Sequence, residues 1–122
     1  MTGLEGKIAI DATNACTGRD EQYNSVAHEV KARTNGPVAK AFNLNYAPLY
    51  DRIDQQRVTP SDLYAADDEA RAVAEQLIRD AGYEPVRVGG LDSARVLEDL
   101  LTGAFPKMAE PVFYRFAAPG QL

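Results

Sequence analysis

The chain opens with a strand, a helix and a second strand in close succession, and this pattern limits its fold more than any other feature. Residues 7–11 (KIAID) form a short apolar run that is typical of a buried strand. Residues 25–35 carry apolar side chains at helical spacing, and Gly36-Pro37 ends that helix. Residues 38–43 (VAKAFN) read as a second strand. Two short strands joined by a helix predict a parallel pair in a sheet.

The rest of the chain continues the alternation of strands and helices. Periodicity and turn residues predict a short helix at 47–57, a strand at 62–66, a helix at 68–81, a strand at 85–88 and a last helix from Asp92 or Ser93 to Gly103. We therefore predict an α/β fold, a three-layer sandwich around a mainly parallel, four-stranded sheet.

The end of the chain reads differently from the rest. We predict an α/β domain over residues 1–103 and an aromatic tail over residues 104–122. The tail carries five large apolar side chains: Phe105, Val112, Phe113, Tyr114 and Phe116. Burying each one is worth about 1.5–3 kcal/mol. We expect the tail to pack against the domain or against a partner.

Composition excludes several classes of protein. The 122 residues carry a net charge of −5, with 45% hydrophobic and 25% charged residues, which is typical of a globular domain. The acidic balance argues against a general nucleic-acid binder and against binding to an anionic membrane surface. No segment has the length of an apolar membrane span. The single cysteine, Cys16, allows no internal disulfide and predicts a free thiol without a function, which fits a cytoplasmic protein.

Five segments in order resemble one enzyme family. They are residues 6–14 (GKIAIDATN), 25–27 (SVA), 38–43 (VAKAFN), 66–68 (ADD) and 82–95 (GYEPVRVGGLDSAR). Their order and spacing resemble the NADP-dependent reductases of the deazaflavin coenzyme F420. Related reductase domains of metalloreductases share the pattern. The resemblance implies the C-terminal half of a Rossmann fold.

The resemblance also implies an activity and a site. The activity is hydride transfer between NADP(H) and a deazaflavin or a related acceptor, in which the cofactors carry the chemistry. The protein then needs no catalytic side chain, and we predict none and no metal ligand. By resemblance, the cofactor-binding positions are Thr13, Asn14, Ala41, Phe42 and Asn43. The family often has Pro where this chain has Ala15, and Thr where it has Leu44.

One motif of that family has no counterpart in this sequence. The phosphate loop G-x-G-x-x-G precedes the resembling segments in the family, whereas the early glycines here are only Gly3 and Gly6. We therefore expect an enzyme that is incomplete as this chain, and NADP binding by the chain alone stays open. We expect a homodimer or a separate chain that supplies the missing N-terminal half, because the strand at 7–11 has an open edge.

Two further functions stay open beside the oxidoreductase. The first alternative is a non-catalytic, Rossmann-like binding or dimerisation module that has lost its nucleotide site. The second is a small-molecule sensor that uses a cleft between Asn14 and Asn43. Both asparagines have an ordinary interpretation as well, because Asn commonly satisfies backbone groups in loops.

Several charged residues have structural interpretations that compete with functional ones. Lys40 reads as an exposed edge charge that blocks aggregation, or else as a contact to a phosphate or carboxylate. His28 reads as a surface or packed residue without a catalytic partner. Residues 67–69 (DDE) read as helix-capping acids rather than a metal cluster. Arg95 and Glu98 are expected to pair on the last helix.

Overall fold

The computed structural model describes residues 6–15 and 18–122, and its centre is one four-stranded sheet. The strands are β1 (Ala9–Asp11), β2 (Val38–Lys40), β3 (Ser61–Ala66) and β4 (Glu84–Arg87), and they lie in the order β1-β2-β3-β4. β1 is parallel to β2 and β3 is parallel to β4, whereas β2 and β3 are antiparallel. The predicted α/β fold with a mainly parallel sheet is therefore confirmed. The antiparallel central pair was not predicted.

Three helices cover the two faces of this sheet. They are α1 (Val26–Thr34), α2 (Asp68–Asp80) and α3 (Ala94–Gly103). The chain thus forms two strand–helix–strand units, β1-α1-β2 and β3-α2-β4. A right-handed crossover fixes the side on which each helix lies. Because the two units run in opposite directions, the same hand places α1 and α2 on opposite faces, and this gives the predicted three layers.

Successive core side chains along the strands alternate between the two faces of the sheet, as a sheet with helices on both sides requires. Val38, Leu63 and Ala65 face α1 and α3, in a cluster that also contains Ala27 and Leu97. Their neighbours in sequence face α2 in a second cluster, which contains Ala39, Ala41, Tyr64, Ala66, Ala70, Ala74, Ile78 and Tyr83. All of β2 and β3 is buried. Both strands are therefore central, as their run of apolar residues indicates.

The ends of the helices follow local sequence signals in most places. The hydroxyl of Ser25 caps α1 and accepts from the N–H of His28 at 3.2 Å. Gly82 follows α2 with φ of 99°, in the left-handed region that glycine favours. The segment predicted as a short helix at 47–57 is a 3-10 helix, Ala47–Gln55. A short 3-10 turn, Leu91–Ser93, leads into α3.

A close backbone contact holds the start of the described chain against the end of α1. The N–H of Gly6 donates to the carbonyl of Thr34 at 3.1 Å. A Cβ at Gly36 would lie 2.6 Å from the carbonyl oxygen of Lys7, closer than side-chain atoms can approach. Glycine is therefore required at position 36 by space rather than by backbone dihedral angle.

After a 3-10 turn at Phe105–Lys107, the C-terminal residues lie along the domain without regular secondary structure. Phe105 stacks on Tyr46, with ring centroids 5.8 Å apart, and meets the edge of Tyr114. Tyr114 in turn meets the edge of Phe116. The boundary of the tail at residue 103 stays a prediction. No helix in the described part of the chain combines the length and apolarity needed to cross a membrane.

Candidate functional site

The carboxyl ends of β1 and β2 meet at one edge of the sheet and bring the two predicted asparagines together. The side-chain amide of Asn43 donates to Oδ1 of Asn14 at 3.0 Å and to the carbonyl of Leu97 at 3.0 Å. The amide of Asn14 donates to the carbonyl of Asn43 at 3.2 Å. Asn43 is 4% exposed, while Asn14 is partly exposed. Of the pair, Asn14 is the one that can offer polar atoms to a ligand.

A buried ion network lies directly beneath this pair. The ammonium of Lys40 lies 2.8 Å from Oδ2 of Asp11 and 2.5 Å from Oε2 of Glu98. It also donates to the carbonyl of Thr13 at 2.9 Å. The guanidinium of Arg19 pairs with Oε1 of Glu98 at 3.0 Å. Lys40 and Arg19 thus face the carboxylates of Asp11 and Glu98, with Lys40 and Glu98 fully buried, and Arg19 also lies 3.7 Å from Oδ1 of Asp99.

This network corrects two of the sequence predictions. Lys40 does not lie at an exposed edge, because β2 is a central strand and Lys40 is fully buried. The carboxylates that it contacts are those of Asp11 and Glu98 within the chain itself. Arg95 pairs with Asp99 at 3.1 Å rather than with Glu98, whose carboxylate turns inward to Lys40.

The network also fixes the loop that carries the predicted site. Thr13 is held by Lys40 through its carbonyl and by Asp11 through its N–H and hydroxyl, at 2.9 Å and 2.6 Å to Oδ1. The backbone N–H of Val26, at the start of α1, donates to Glu98 at 2.9 Å. Loop 12–15, β2, α1 and α3 are therefore joined through charged side chains at a single point.

Ala41 and Phe42, the other predicted positions, differ in what they can contact. Ala41 is fully buried in the cluster under α2, so its side chain faces the core. Phe42 has a φ of 67°, a left-handed backbone conformation that residues other than glycine rarely adopt. Its half-buried ring lines a cavity of about 120 Å³ together with Tyr50, Ile53, Ala81 and Tyr83.

Asp62, which the sequence analysis did not single out, supports the backbone of Phe42. Its Oδ1 accepts from the N–H of Phe42 at 3.2 Å, and its Oδ2 is buried without a hydrogen-bond partner. Burial raises the pKa of Asp62 to about 7, against a smaller lowering by the Phe42 hydrogen bond. The sequence signal that could have pointed to Asp62 is its position directly before the apolar run 63–66.

The remaining candidates have structural partners. The ring of His28 lies between the Ser25 hydroxyl, 2.6 Å from Nδ1, and an Asp92 oxygen, 3.1 Å from Nε2. Asp67 precedes α2 but does not cap it with its side chain; it accepts instead from the Lys31 ammonium and the Val38 N–H. Within residues 6–15 and 18–122, no group of His, Cys, Asp and Glu could hold a metal ion. Cys16 lies outside the described residues.

Comparisons with known proteins agree with this architecture. The chain is similar to the crystal structure of a candidate F420-dependent NADP reductase from Arthrobacter sp. FB24, with a TM-score of 0.67 and 23% identity. It is also similar to the hypothetical protein SMa0349 from Sinorhizobium meliloti, with a TM-score of 0.63 and 23% identity. The chain has the fold of these proteins.

The extent of the match is uneven between the partners. The alignment covers 94% of this chain but 59% of the Arthrobacter protein, and 77% of this chain but 50% of the Sinorhizobium protein. No protein-family profile and no curated protein matches the sequence. The predicted resemblance to deazaflavin-linked NADP reductases is therefore confirmed at the level of the fold.

Proposed function

We propose that these residues form part of an oxidoreductase that transfers hydride between NADP(H) and a deazaflavin of the F420 type. In this proposal they form the ring-facing part, which contacts the redox-active rings of the cofactors. The observation that carries the proposal is the joined carboxyl edge of β1 and β2, where the side chains of Asn14 and Asn43 bond to each other and Phe42 directly precedes Asn43, in a fold shared with a candidate reductase. Ligands of α/β sheets bind at such an edge. The cofactors supply the hydride chemistry, and the protein holds and orients them.

The groups at this edge suit flat, partly polar rings. Phe42 offers an aromatic face beside the cavity that Tyr50 and Tyr83 also line. Asn14 offers an amide for a ring carbonyl or carboxamide. The network around Lys40 keeps both loops in place, so little ordering is required when a ring binds.

A nucleotide diphosphate, in contrast, does not fit the described residues. Rossmann folds hold the diphosphate at the N-terminus of the helix that follows a strand. Here the first N–H of α1 is bonded to the carboxylate of Glu98. α2 begins beside Asp67, Asp68 and Glu69, and Asp92 lies just before α3. Carboxylates at all three helix starts repel a phosphate, so the proposal assigns the diphosphate to a polypeptide segment beyond the described residues.

The outer edge of β1 is the place for such a segment. β1 is bonded to β2 through the N–H of Ala9 and the carbonyl of Asp11, so the backbone of Ile10 between them faces outward. Ile8 beside it is 39% exposed. Within residues 6–15 and 18–122, no strand pairs with this edge of β1, and an apolar edge of this kind accepts an additional strand. Within the proposal, the strand comes from a nucleotide-binding segment or from a second copy in a homodimer.

The blocked helix starts also favour a second candidate function. A non-catalytic binding or dimerisation module with this fold would keep the β1 edge and have no need of a diphosphate site. The two candidates differ in whether the Asn14–Phe42 edge binds a deazaflavin.

Binding measurements distinguish the two candidates. F420 and NADPH are titrated separately into the purified chain and followed by calorimetry. The oxidoreductase proposal predicts weak deazaflavin binding, with a Kd on the order of millimolar or below, and no saturable NADPH binding. Asn14→Ala and Phe42→Leu weaken deazaflavin binding about tenfold, as expected for one lost contact. Asn24→Ala, in the exposed loop before α1, is the matched control.

Two results would contradict the proposal. If neither cofactor binds the folded chain, the binding or dimerisation module is the better description. If NADPH binds tightly and the Asn14→Ala variant binds it equally well, the diphosphate site lies within this chain and the assignment of the edge is wrong.

A further inference from the structure

A gap opens between the two central strands at the same edge of the sheet. β2 and β3 pair only at Ala39–Ala66 and Lys40–Ala65, and the two strands diverge beyond Lys40. The carbonyls of Pro60, just before β3, and of Tyr64 accept hydrogen bonds from the β4 side. The backbone N–H and carbonyl groups of the odd-numbered residues of β3 therefore point the other way, toward β2. The N–H groups of Ser61 and Leu63 therefore face a gap where a ladder would otherwise continue. Buried backbone groups need partners there.

Tyr114 of the tail supplies those partners. Its carbonyl accepts from the N–H of Ser61 at 2.7 Å, and its hydroxyl accepts from the N–H of Leu63 at 3.3 Å. The same hydroxyl donates to Oδ1 of Asn45 at 3.1 Å, and the amide of Asn45 donates to the carbonyl of Ser61 at 3.0 Å. The N–H of Phe116 donates to the Ser61 hydroxyl at 2.9 Å. The tail thus takes the place of the missing strand pairing.

Asp62 lies between the two residues that the tail satisfies. Its side chain is fully buried, and one carboxyl oxygen has no hydrogen-bond partner. The titratable groups around it are phenols: Tyr50 from the 3-10 helix, Tyr83 from the turn before β4 and Tyr114 from the tail. Among the described residues, no lysine or arginine forms an ion pair with it. Among the described residues, the N–H of Phe42 is thus the group that bonds to the carboxylate of Asp62, and no side-chain cation pairs with it.

Burial raises the pKa of Asp62 to about 7, so its ionisation falls in the physiological range. Burial likewise raises the pKa of Tyr114, and the charge of Asp62 adds to that rise. An ionised Asp62 can recover solvation only where water reaches its free oxygen. Tyr114 bonds to the backbone of Ser61 and Leu63, on either side of Asp62, so undocking of the tail opens the gap beside Asp62.

We propose that Asp62 and Tyr114 form a proton-controlled latch, in which neutral Asp62 keeps tail residues 112–116 in the gap between β2 and β3 and ionised Asp62 releases them. The sign follows from linkage. The docked state binds the proton more tightly than the released state, in which the carboxyl is hydrated, so docking weakens as the pH rises. The latch does not depend on the proposed function.

Amide hydrogen exchange on the full chain tests the latch directly. Protection at Ser61 and Leu63 reports tail docking, and Ala66, bonded to the Gly89 carbonyl at the far end of β3, is the internal control. After correction for intrinsic base catalysis, linkage predicts an about tenfold loss of protection at Ser61 and Leu63 from about pH 6 to pH 8. Protection at Ala66 is expected to change far less. The Phe42 amide shift reports the titration of Asp62 independently.

Two conservative variants and a control separate the latch from simple titration. Asp62→Asn keeps the acceptor for Phe42 and removes the pH dependence at Ser61 and Leu63. Tyr114→Phe keeps the ring and lowers protection at Leu63 already at low pH. Glu84→Gln, an exposed carboxylate on β4 opposite Ser61, leaves the profile unchanged.

Several results would overturn the latch. One is a Phe42 titration with a midpoint below about pH 5, which would show an ordinary carboxyl. Another is a midpoint near 7 with pH-independent protection at Ser61 and Leu63. If Asp62→Asn does not fold, the wild-type comparison of Ser61 and Leu63 with Ala66 still decides the question.

Discussion

Lys40 is the residue whose replacement tests the arrangement of the site most sharply. Its ammonium is fully buried between Asp11 and Glu98 and also holds the carbonyl of Thr13. Lys40→Met keeps most of the side-chain volume and removes the charge. Both carboxylates then stay buried with a lost partner, which typically costs 3–5 kcal/mol.

The remaining contacts set where in that range the cost falls. Glu98 keeps Arg19 and the N–H of Val26, and Asp11 keeps two bonds from Thr13. We therefore expect the lower end, about 3 kcal/mol, out of a total stability of roughly 5–15 kcal/mol for a domain of this kind. Urea unfolding followed by circular dichroism measures this free energy through the midpoint and slope.

A surface pair of the same type provides the control. Lys31 pairs with Asp67 at 2.5 Å, but its side chain is 46% exposed, so Lys31→Met should cost about 1 kcal/mol or less. Glu98→Gln combined with Lys40→Met should recover part of the loss, because one unpaired charge is removed. A Lys40→Met variant that loses no more than Lys31→Met would refute the buried network.

Three further predictions concern stability at other positions. Because burial raises the pKa of Asp62 from 3.8 to about 7, the folded state should lose about 4 kcal/mol of stability as the pH rises from about 4 to about 7. In thermal unfolding, the Asp62→Asn variant should lack this loss. Parallel curves of stability against pH for the two proteins would contradict the prediction. Gly36→Ala should lower the free energy of unfolding in urea by about 1–3 kcal/mol, because the new Cβ would meet the Lys7 carbonyl. Gly90→Ala is the control and should have little effect, because the space around Gly90 is open. Equal effects of the two substitutions would count against the close contact. Asn43→Ala removes a donor to the buried Leu97 carbonyl and to the partly exposed Oδ1 of Asn14, and it should cost about 1–3 kcal/mol by the same measurement; a neutral effect would show that neither bond matters.

The sequence carried enough information to predict the elements and the layers. The apolar stripe of α2 is a local signal, and this helix is found where it was predicted. The Ser25 cap and the turn at Gly82 are local features of the same kind. The meeting of Asn14 and Asn43 followed from two parallel strands ending in asparagine. Local pattern and strand direction were sufficient for these features.

The parts that could not be predicted depend on pairing between distant segments. Lys40 reads as an edge charge until β2 is known to lie between β1 and β3. The partner that neutralises it, Glu98, lies 58 positions later in the chain. Asp62 becomes unusual only because tertiary packing buries its side chain and leaves one carboxyl oxygen without a hydrogen-bond partner. Periodicity contains no information about such contacts.

The most direct test of the proposed ring-facing edge is to map where a deazaflavin contacts the chain. Amide proton–nitrogen correlation spectra recorded during an F420 titration should show shifts concentrated at Asn14, Phe42 and Asn43, beside the carboxyl ends of β1 and β2. The opposite edge of the sheet, at Arg87 and the end of β4, should stay unchanged. Shifts centred on that opposite edge, or none at saturating F420, would contradict the assignment.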